Sequence, residues 1–398
     1  MGRLLPVPGV RIGTACAGIK QYERDDIVVI ELVKTASVAA VFTQNKFCAA
    51  PVIVAQSHLQ DASPCYVLIN SGNANAGLGK AGVDAAERCC NALAGELGVT
   101  GRAVLPFSTG VIGEPLPADK IILSLPEAIK DLNGNHWSKA ASAILTTDTR
   151  EKAYSCEVMV AAKKAVITGV AKGSGMIRPD MATMLAYIAT DISIDKGLLH
   201  EMLKEAVEYS FNRITVDGDT STNDAVVLIA SGVLEVVLEN RDSPGYADFF
   251  TALVETCQFL AKEIVRDGEG ATKLIRIQVE KAASTEDAKE LAYTIAHSPL
   301  VKTTFFASDP NWGRILAAAG RANIERLEVD KINIHLDEIC IVRGGVKAKD
   351  YTEAAGQRVL SRKEITVRLD LEQGDASAEV LSCDLSYDYV KINAEYRT

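Results

Sequence analysis

The chain has 398 residues, 48% of them hydrophobic, which indicates a globular protein with two or three folded units rather than a disordered one. Its formal net charge of −10 argues against a nucleic-acid surface, which needs clustered Lys and Arg. Nine cysteines, an odd number without C-x-x-C spacing, and only five histidines favour reduced thiols over a zinc site or disulfides. No apolar leader and no membrane-spanning run is apparent, so we expect a cytoplasmic protein without a membrane partner.

The first third of the chain predicts buried strands with a helix packed on them. Apolar runs bounded by polar residues indicate strands at Ile27–Leu32 and Cys65–Asn70. Apolar residues at three- to four-residue spacing predict an amphipathic helix over 81–98, and the Gly-rich turn 72–79 connects the second strand to it. No G-K-[ST] follows this turn, so it lacks the residues of a nucleotide-binding loop.

Further along, helical and strand patterns alternate. A helical pattern after residue 183 runs through Ile188 and ends near Thr190. We also predict helices over 195–210, over 246–265 and from an N-cap at Ser284 to about His297, and strands at Val226–Ile229, Leu234–Leu238 and 274–280. The alternating segments 332–336 and 365–371 indicate antiparallel sheet, and Asp309 is a candidate helix cap.

The segment 172–185, KGSGMIRPDMATML, contains a candidate self-cleavage site. If the Ala182–Thr183 peptide bond breaks, Thr183 becomes an amino terminus whose α-amine lies near its own hydroxyl. With an unperturbed pKa of about 7.7–8.0, this amine is a better base near neutral pH than a Lys at about 10.4. Such a Thr suits acyl transfer through an ester intermediate with ping-pong kinetics. The alternative is a buried helix in which Thr183 bonds back to a carbonyl.

Five motifs in order give the chain a resemblance to a known family. They are KGSGMIRPDMATMLAYIATD and the segments 70–76 (NSGNANA), 108–113 (STGVIG), 216–224 (VDGDTSTND) and 308–314 (SDPNWGR). Together they resemble the glutamate N-acetyltransferase (ornithine acetyltransferase, ArgJ) family, in which the Thr of the MATML motif cleaves its own chain. The resemblance implies an α+β fold with helix layers packed on mixed β-sheets, the ArgJ/DmpA-like autoproteolytic fold. It also implies two products, an α chain 1–182 and a β chain 183–398.

An acyl-transfer site needs donors for the oxyanion of its tetrahedral intermediate. In the segment 108–110, Gly110 permits close backbone approach and Thr109 supplies a hydroxyl, although a plain turn is the alternative. The resemblance implies that Thr109 and Gly110 form the oxyanion hole. The segment 220–224 is either a polar wall of the active site or a hydroxyl-capped turn.

Small amino-acid substrates need a cation for the α-carboxylate and polar groups for the rest. The resemblance assigns substrate contacts to Lys172, Thr183, Glu269, Asn393, Thr398 and one of Thr146 and Thr147, with Thr147 preferred. For Lys172 and Glu269 the alternative is a solvated surface charge. A ligand at the carboxyl end requires that the last strand is tied down, which Tyr387, Tyr389 and Ile392 could do by packing.

The resemblance implies transfer of an acetyl group from N²-acetylornithine to glutamate through acetyl-Thr183, in arginine biosynthesis. This chemistry requires neither a metal nor an organic cofactor, and whether acetyl-CoA also serves as donor stays open. The family assembles two copies of each fragment into a heterotetramer. The alternatives are a related N-terminal-nucleophile amidase or aminopeptidase that passes the acyl group to water, and an inert scaffold whose chain stays whole.

Overall fold

The computed structural model describes residues 4–20, 24–178 and 184–395. The chain forms two compact units. The first comprises Met1–Gly173, Pro179–Asn212 and Thr220–Ile264, and the second comprises Ser174–Arg178, Arg213–Asp219 and Val265–Thr398. Both of the predicted cleavage products therefore contribute to each unit.

The first unit contains the elements from β1 to α6, of which α6 extends two residues into the second. In chain order they are β1 Val10–Ala15, β2 Ile27–Leu32, β3 Ser37–Phe42, α1 Ala50–Asp61, β4 Tyr66–Asn73, α2 Lys80–Leu97, β5 Val104–Val111, α3 Ala118–Lys130, α4 Trp137–Ala143, β6 Lys152–Val160, β7 Lys163–Lys172, β8 Leu185–Thr190, β9 Ser193–Ile194, α5 Lys196–Glu208, β10 Ala225–Ala230, β11 Val237–Leu238 and α6 Tyr246–Arg266.

Two sheets stack face to face in this unit. One has the strand order β1-β2-β4-β5 and the other β3-β10-β8-β7-β6, and β9 pairs separately with β11. A buried apolar layer from both sheets, which includes Phe107 and Tyr187, fills the space between them. On its outer face the first sheet packs against α2 and α3, and α5 packs against β3 and β10 of the second. The unit is thus a sandwich of two sheets between helices.

The strand β8 corrects the sequence prediction of a helix through Ile188. All six of its side chains are buried, and it pairs antiparallel with β7 and parallel with β10. A central strand covered on both faces is a continuous apolar run, and its periodicity does not distinguish it from a buried helix. The β7–β8 pair joins residues on both sides of the predicted cleavage point, with Lys172 opposite Leu185.

The second unit is one six-stranded sheet with helices on one face. Its elements are β12 Leu274–Ala282, α7 Thr285–Ala296, α8 Pro299–Ala307, α9 Trp312–Ala319, β13 Asn333–Leu336, β14 Ile339–Arg343, β15 Val346–Lys347, α10 Glu353–Leu360, β16 Glu364–Asp370, β17 Ala376–Cys383 and α11 Tyr387–Ala394. The strand order is β15-β14-β13-β16-β12-β17. Alternate residues of the strands pack against α7 to α10 and form the core.

Most of the other predicted elements are confirmed, with four corrections. The sheet of the second unit is mixed, because β13 and β16 are antiparallel as expected but β12 and β16 are parallel. Asn311, and not Asp309, caps α9 by accepting from the Arg314 amide. The predicted strand Leu234–Leu238 shrinks to the two residues of β11. The last element is the helix α11 rather than a strand.

Across the described residues, none of the helices combines the length and the apolarity that a membrane span needs.

The N-cap predicted at Ser284 is confirmed, since its side chain accepts from the Asp287 amide. The predicted helices over 81–98, 195–210 and 246–265 correspond to α2, α5 and α6.

Candidate active site

Thr109 and Gly110, the predicted oxyanion pair, lie at the end of β5 and not in a separate loop or turn. This strand runs parallel to β4, and Gly110 lies opposite Gly72. Gly110 has a φ of +135°, and a Cβ there would lie 2.2 Å from the carbonyl carbon of Gly72. Only glycine fits both the conformation and the space, so the close backbone approach inferred from the sequence is realised here.

Lys172 brings three of the predicted site residues together at the end of β7. Its Nζ donates to Thr109 Oγ1 at 3.2 Å and to Thr146 Oγ1 at 2.7 Å. Only 8% of the residue is exposed, so it is not a solvated surface charge. The structure therefore groups Lys172 with Thr146, whereas the sequence argument preferred Thr147. Thr147 is half-buried, and a substrate contact of either Thr stays a prediction.

A buried ion pair that the sequence argument missed supports this group. Asp148 Oδ1 accepts from Lys152 Nζ at 2.6 Å and from the Gly173 amide at 2.7 Å, and both charged side chains are fully buried. Asp148 Oδ2 accepts from the Thr146 amide at 3.1 Å and lies 3.6 Å from Lys172 Nζ. Burial alone would raise the Asp148 pKa, but the charges of Lys172 and Lys152 hold that pKa well below its usual range.

The segment 220–224 attaches to the oxyanion strand. Asn223 is 6% exposed, and its Nδ2 donates to the carbonyl oxygens of Ala74 at 2.6 Å and Ser108 at 3.0 Å. Its Oδ1 accepts from the Thr222 hydroxyl at 2.6 Å. Since Ser108 immediately precedes Thr109, Asn223 fixes the strand that carries the predicted oxyanion donors. The sequence left two alternatives for the segment 220–224, a polar wall of the active site and a hydroxyl-capped turn. Neither describes the role of Asn223, which bridges the carbonyl oxygens of Ala74 and Ser108.

Asp224 is a second buried acid of this region. It is 2% exposed, and its Oδ2 has no hydrogen-bond partner within the described ranges. Burial raises the Asp224 pKa well above its usual value, although Ser221, Lys172 and Met184 act in the opposite direction. The next amide, that of Ala225, donates to the Met184 carbonyl at 3.0 Å. Asp224 therefore lies beside Met184, the residue that follows the predicted nucleophile Thr183 in the sequence.

Glu269 and Asn393 meet in the second unit. Asn393 Nδ2 donates to Glu269 Oε2 at 2.8 Å and to the Tyr389 carbonyl at 3.0 Å. The Glu269 amide donates to the Ser174 carbonyl at 2.8 Å, and its side chain lies against Gly175, where a Cβ would be 2.4 Å from the carboxylate. Glu269 is only 8% exposed, so it too is not a solvated surface charge.

The carboxyl-terminal segment, predicted to be a strand anchored by packing, forms the helix α11. Tyr387, one of its three expected anchors, is 83% exposed. Tyr389 does make an anchoring contact, because its hydroxyl donates to Asp217 Oδ2 at 3.3 Å. Burial and the neighbouring Asp217 raise the Tyr389 pKa, so the phenol stays protonated. Asn393 is therefore placed by the helix rather than by a strand.

Asp217 also fixes the backbone that leads towards the candidate cleavage site. Its two carboxylate oxygens accept from the amides of Met176 at 2.6 Å and Ile177 at 2.8 Å. The Ile177 carbonyl accepts from the Thr215 hydroxyl and the Val216 amide, each at 2.8 Å. The predicted site residues Ala182, Thr183 and Thr398 lie outside the described residues.

Comparisons with known proteins agree with one another. The sequence profile of the ArgJ family matches residues 11–398. The arginine biosynthesis bifunctional protein ArgJ of Methylococcus capsulatus is 55% identical over 396 residues, covering 100% of this chain and 97% of that protein. Its namesake from Psychrobacter arcticus is 52% identical over 396 residues, covering 99% of this chain and 97% of that protein. A crystal structure of arginine biosynthesis bifunctional protein ArgJ from Bacillus halodurans matches at 41% identity and a TM-score of 0.50, over 52% of this chain and 96% of that one.

Proposed function

This chain belongs to the ArgJ family, and on that premise we propose that it transfers the acetyl group of N²-acetylornithine to glutamate in arginine biosynthesis. The observation that carries the proposal is the contact of Lys172 Nζ with the Thr109 hydroxyl, at 3.2 Å, beside the constrained Gly110. It joins a buried cation, suited to an α-carboxylate, to a donor suited to an oxyanion.

In this proposal Thr183 is the nucleophile of a two-step transfer. Its oxygen bonds to the acetyl carbon while its α-amine takes the hydroxyl proton, and the tetrahedral oxyanion accepts from Thr109 and Gly110. The carbon–nitrogen bond then breaks, and ornithine leaves with the proton on its amine. The free amine of glutamate attacks acetyl-Thr183 by the reverse steps, which gives N-acetylglutamate and restores the Thr hydroxyl.

We further propose that Thr183 is released by cleavage of the Ala182–Thr183 bond, giving an α chain 1–182 and a β chain 183–398. Two observations support this. The strands β7 and β8 lie on opposite sides of that bond and pair over six residues each, which would keep the two products joined in one sheet. The matching chain of the Bacillus halodurans structure is only about half as long as this one, as a cleavage product is.

The substrate contacts belong to the proposal as well. Lys172 is suited to a carboxylate, and Thr146 is held beside it by two hydrogen bonds. Contacts from Glu269, Asn393 and Thr398 follow from the family resemblance, and the first two of these are neighbours in the structure.

The remaining features follow the family. The transfer needs no metal or organic cofactor, because the nucleophile, its base and the oxyanion donors are all protein groups. Since the relatives are named bifunctional, we extend the proposal to acetyl-CoA as a second acetyl donor. We also propose a cytoplasmic heterotetramer of two α and two β chains.

Release of ornithine from N²-acetylornithine, with and without glutamate, tests the proposed function. We expect continuous release only with glutamate and formation of one N-acetylglutamate for each ornithine, with both absent in Thr183→Ala. Equal release of ornithine and acetate without glutamate would instead indicate an amidase that passes the acetyl group to water.

A further inference from the structure

Lys20 is a cation of the first unit that the proposed mechanism does not use. Its Nζ donates to the carbonyl oxygens of Ala143 at 2.8 Å and Asp25 at 3.4 Å. It forms no ion pair with a carboxylate in the part of the chain that the structure describes. Half-buried cations normally have a direct carboxylate partner, so one that binds only carbonyl oxygens indicates a place for an anionic ligand.

Lys20 lies close to the oxyanion strand. A Cβ on Gly72 would be 3.2 Å from Lys20 Cγ, and Gly72 lies opposite Gly110 in the sheet. The Ala143 carbonyl that accepts from Lys20 also accepts from the Ser71 hydroxyl at 2.6 Å. Lys20 thus packs against β4, the strand next to the one that carries the oxyanion pair, and binds the end of α4, just before the segment that carries Thr146.

Charged residues of both signs surround Lys20. Arg24 and Lys172 are near, and Arg24 donates to the Leu145 and Thr146 carbonyls at 3.3 and 3.4 Å. The three acids nearby already accept hydrogen bonds, Asp25 from the Thr14 hydroxyl at 2.6 Å. Asp26 accepts from the amides of residues 17, 19 and 20 at 2.7, 2.6 and 3.3 Å, and Asp148 is paired with Lys152. Burial first, and then the charges of Arg24 and Lys172, lower the Lys20 pKa to about 7, against the opposing effect of Asp26 and Asp148.

The two amino acids that the proposed reaction exchanges differ in their side-chain charge. Both have an α-carboxylate, which one permanent cation can bind. Glutamate has a second carboxylate where ornithine has an ammonium group. A site that accepts both in turn needs a second cation for glutamate, and a group that titrates near neutral pH repels the ornithine ammonium least.

We propose that Lys20 is a specificity residue that binds the side-chain carboxylate of the acetyl acceptor. This inference rests on the proposed acetyl transfer and adds to it the group that selects glutamate. A charged hydrogen bond of this kind changes binding by about 10- to 100-fold. The acceptor half of the reaction therefore loses efficiency without Lys20, and the donor half does not.

The dependence on pH has a definite sign. Lys20 is protonated below its pKa of about 7 and neutral above it, so its attraction for a carboxylate fades as the pH rises from 6 to 8.5. The glutamate amine must also be deprotonated to attack, and this affects wild type and variant alike. The wild-type to Lys20→Met ratio of kcat/KM for glutamate removes that shared factor, and it should fall as the pH rises.

Two half-reactions measured on the full-length protein test the proposal. The first is exchange of labelled ornithine into N²-acetylornithine without glutamate, and the second is acetyl transfer to glutamate or to glutamine. The variants are Lys20→Met, Lys20→Arg and, as a matched control, Lys120→Met. Lys120 is an exposed lysine that donates to the Gly18 carbonyl of the same loop.

For Lys20→Met at pH 6.5 we expect kcat/KM for glutamate to fall about 10- to 100-fold, while ornithine exchange is unchanged or faster and transfer to glutamine stays within threefold of wild type. Lys20→Arg should keep most of the glutamate activity, and Lys120→Met should match wild type. Parallel losses in ornithine exchange, or equal losses with glutamate and glutamine, would overturn the proposal and reduce Lys20 to a support for the 143–146 turn. A wild-type protein without either half-reaction would refute the acetyl transfer itself, and this subsite with it.

Discussion

Replacing Asp148 by Asn should destabilise the protein by about 3–5 kcal/mol, the usual cost of breaking a buried ion pair from one side. The substitution keeps the shape of the side chain but removes the charge that faces Lys152. Both side chains of this pair are fully buried, so water cannot replace the lost carboxylate. The Gly173 and Thr146 amides also lose a charged acceptor.

Urea unfolding followed by circular dichroism measures this change, with every protein in a Thr183→Ala background so that intact chains are compared. Asp119→Asn is the matched control, since Asp119 pairs with Arg88 on an exposed surface. We expect the control to stay within about 0.5 kcal/mol of its parent. A loss below about 1 kcal/mol for Asp148→Asn would refute the argument that this pair is buried and coupled.

The stability lost on replacing Asp148 by Asn should depend on pH in a definite direction. The folded-state pKa of Asp148 lies below its unfolded value of about 3.9. The stabilisation from the carboxylate is therefore complete above that unfolded value and is lost as the pH falls through the folded-state pKa. The stability difference between parent and Asp148→Asn should be constant from pH 6 to 8 and should shrink below about pH 4. A difference that grows in acid would contradict this sign.

Two further predictions concern the oxyanion strand. Gly110→Ala places a Cβ 2.2 Å from the Gly72 carbonyl carbon and should lower kcat at least about 10²-fold. The control is Gly95→Ala, in open space on α2, which should leave kcat unchanged. A Gly110→Ala protein with wild-type kcat would show that this strand end tolerates displacement. Asn223→Asp places a carboxylate against two carbonyl oxygens and should lower kcat at least about tenfold, with Asn135→Asp, at an exposed site, as its control. Unchanged kcat in Asn223→Asp would remove its positioning role.

The motifs predicted the local chemistry better than the three-dimensional arrangement. Thr109 and Lys172 belong to separate motifs, Thr146 is one of the two threonines that the resemblance offers, and the structure brings all three within hydrogen-bond distance. The partners that hold them were harder to predict, because Lys152 belongs to none of the five motifs. The only signal for it was an acid followed four residues later by a lysine, which is common on solvated surfaces.

The two misassigned elements have different physical causes. A strand buried on both faces has no alternation, so β8 was indistinguishable from a buried helix over so few residues. The segment that forms α11, predicted to be a strand, contains aromatic and β-branched residues, which are enriched in strands. In the structure Ser386 caps a helix there by accepting from the Tyr389 amide, and Tyr387 and Val390 stay exposed.

The central claim is that Thr183 becomes an amino terminus and then carries the acetyl group. Intact-mass spectrometry of the wild-type and Thr183→Ala proteins, with transfer from N²-acetylornithine to glutamate assayed on the same samples, tests it most directly. We predict two wild-type fragments of residues 1–182 and 183–398, an acetyl adduct on the second fragment after donor alone, and a single inactive chain in the variant. An uncut wild-type chain that still transfers acetyl groups would contradict the account, because the α-amine could not then be the base.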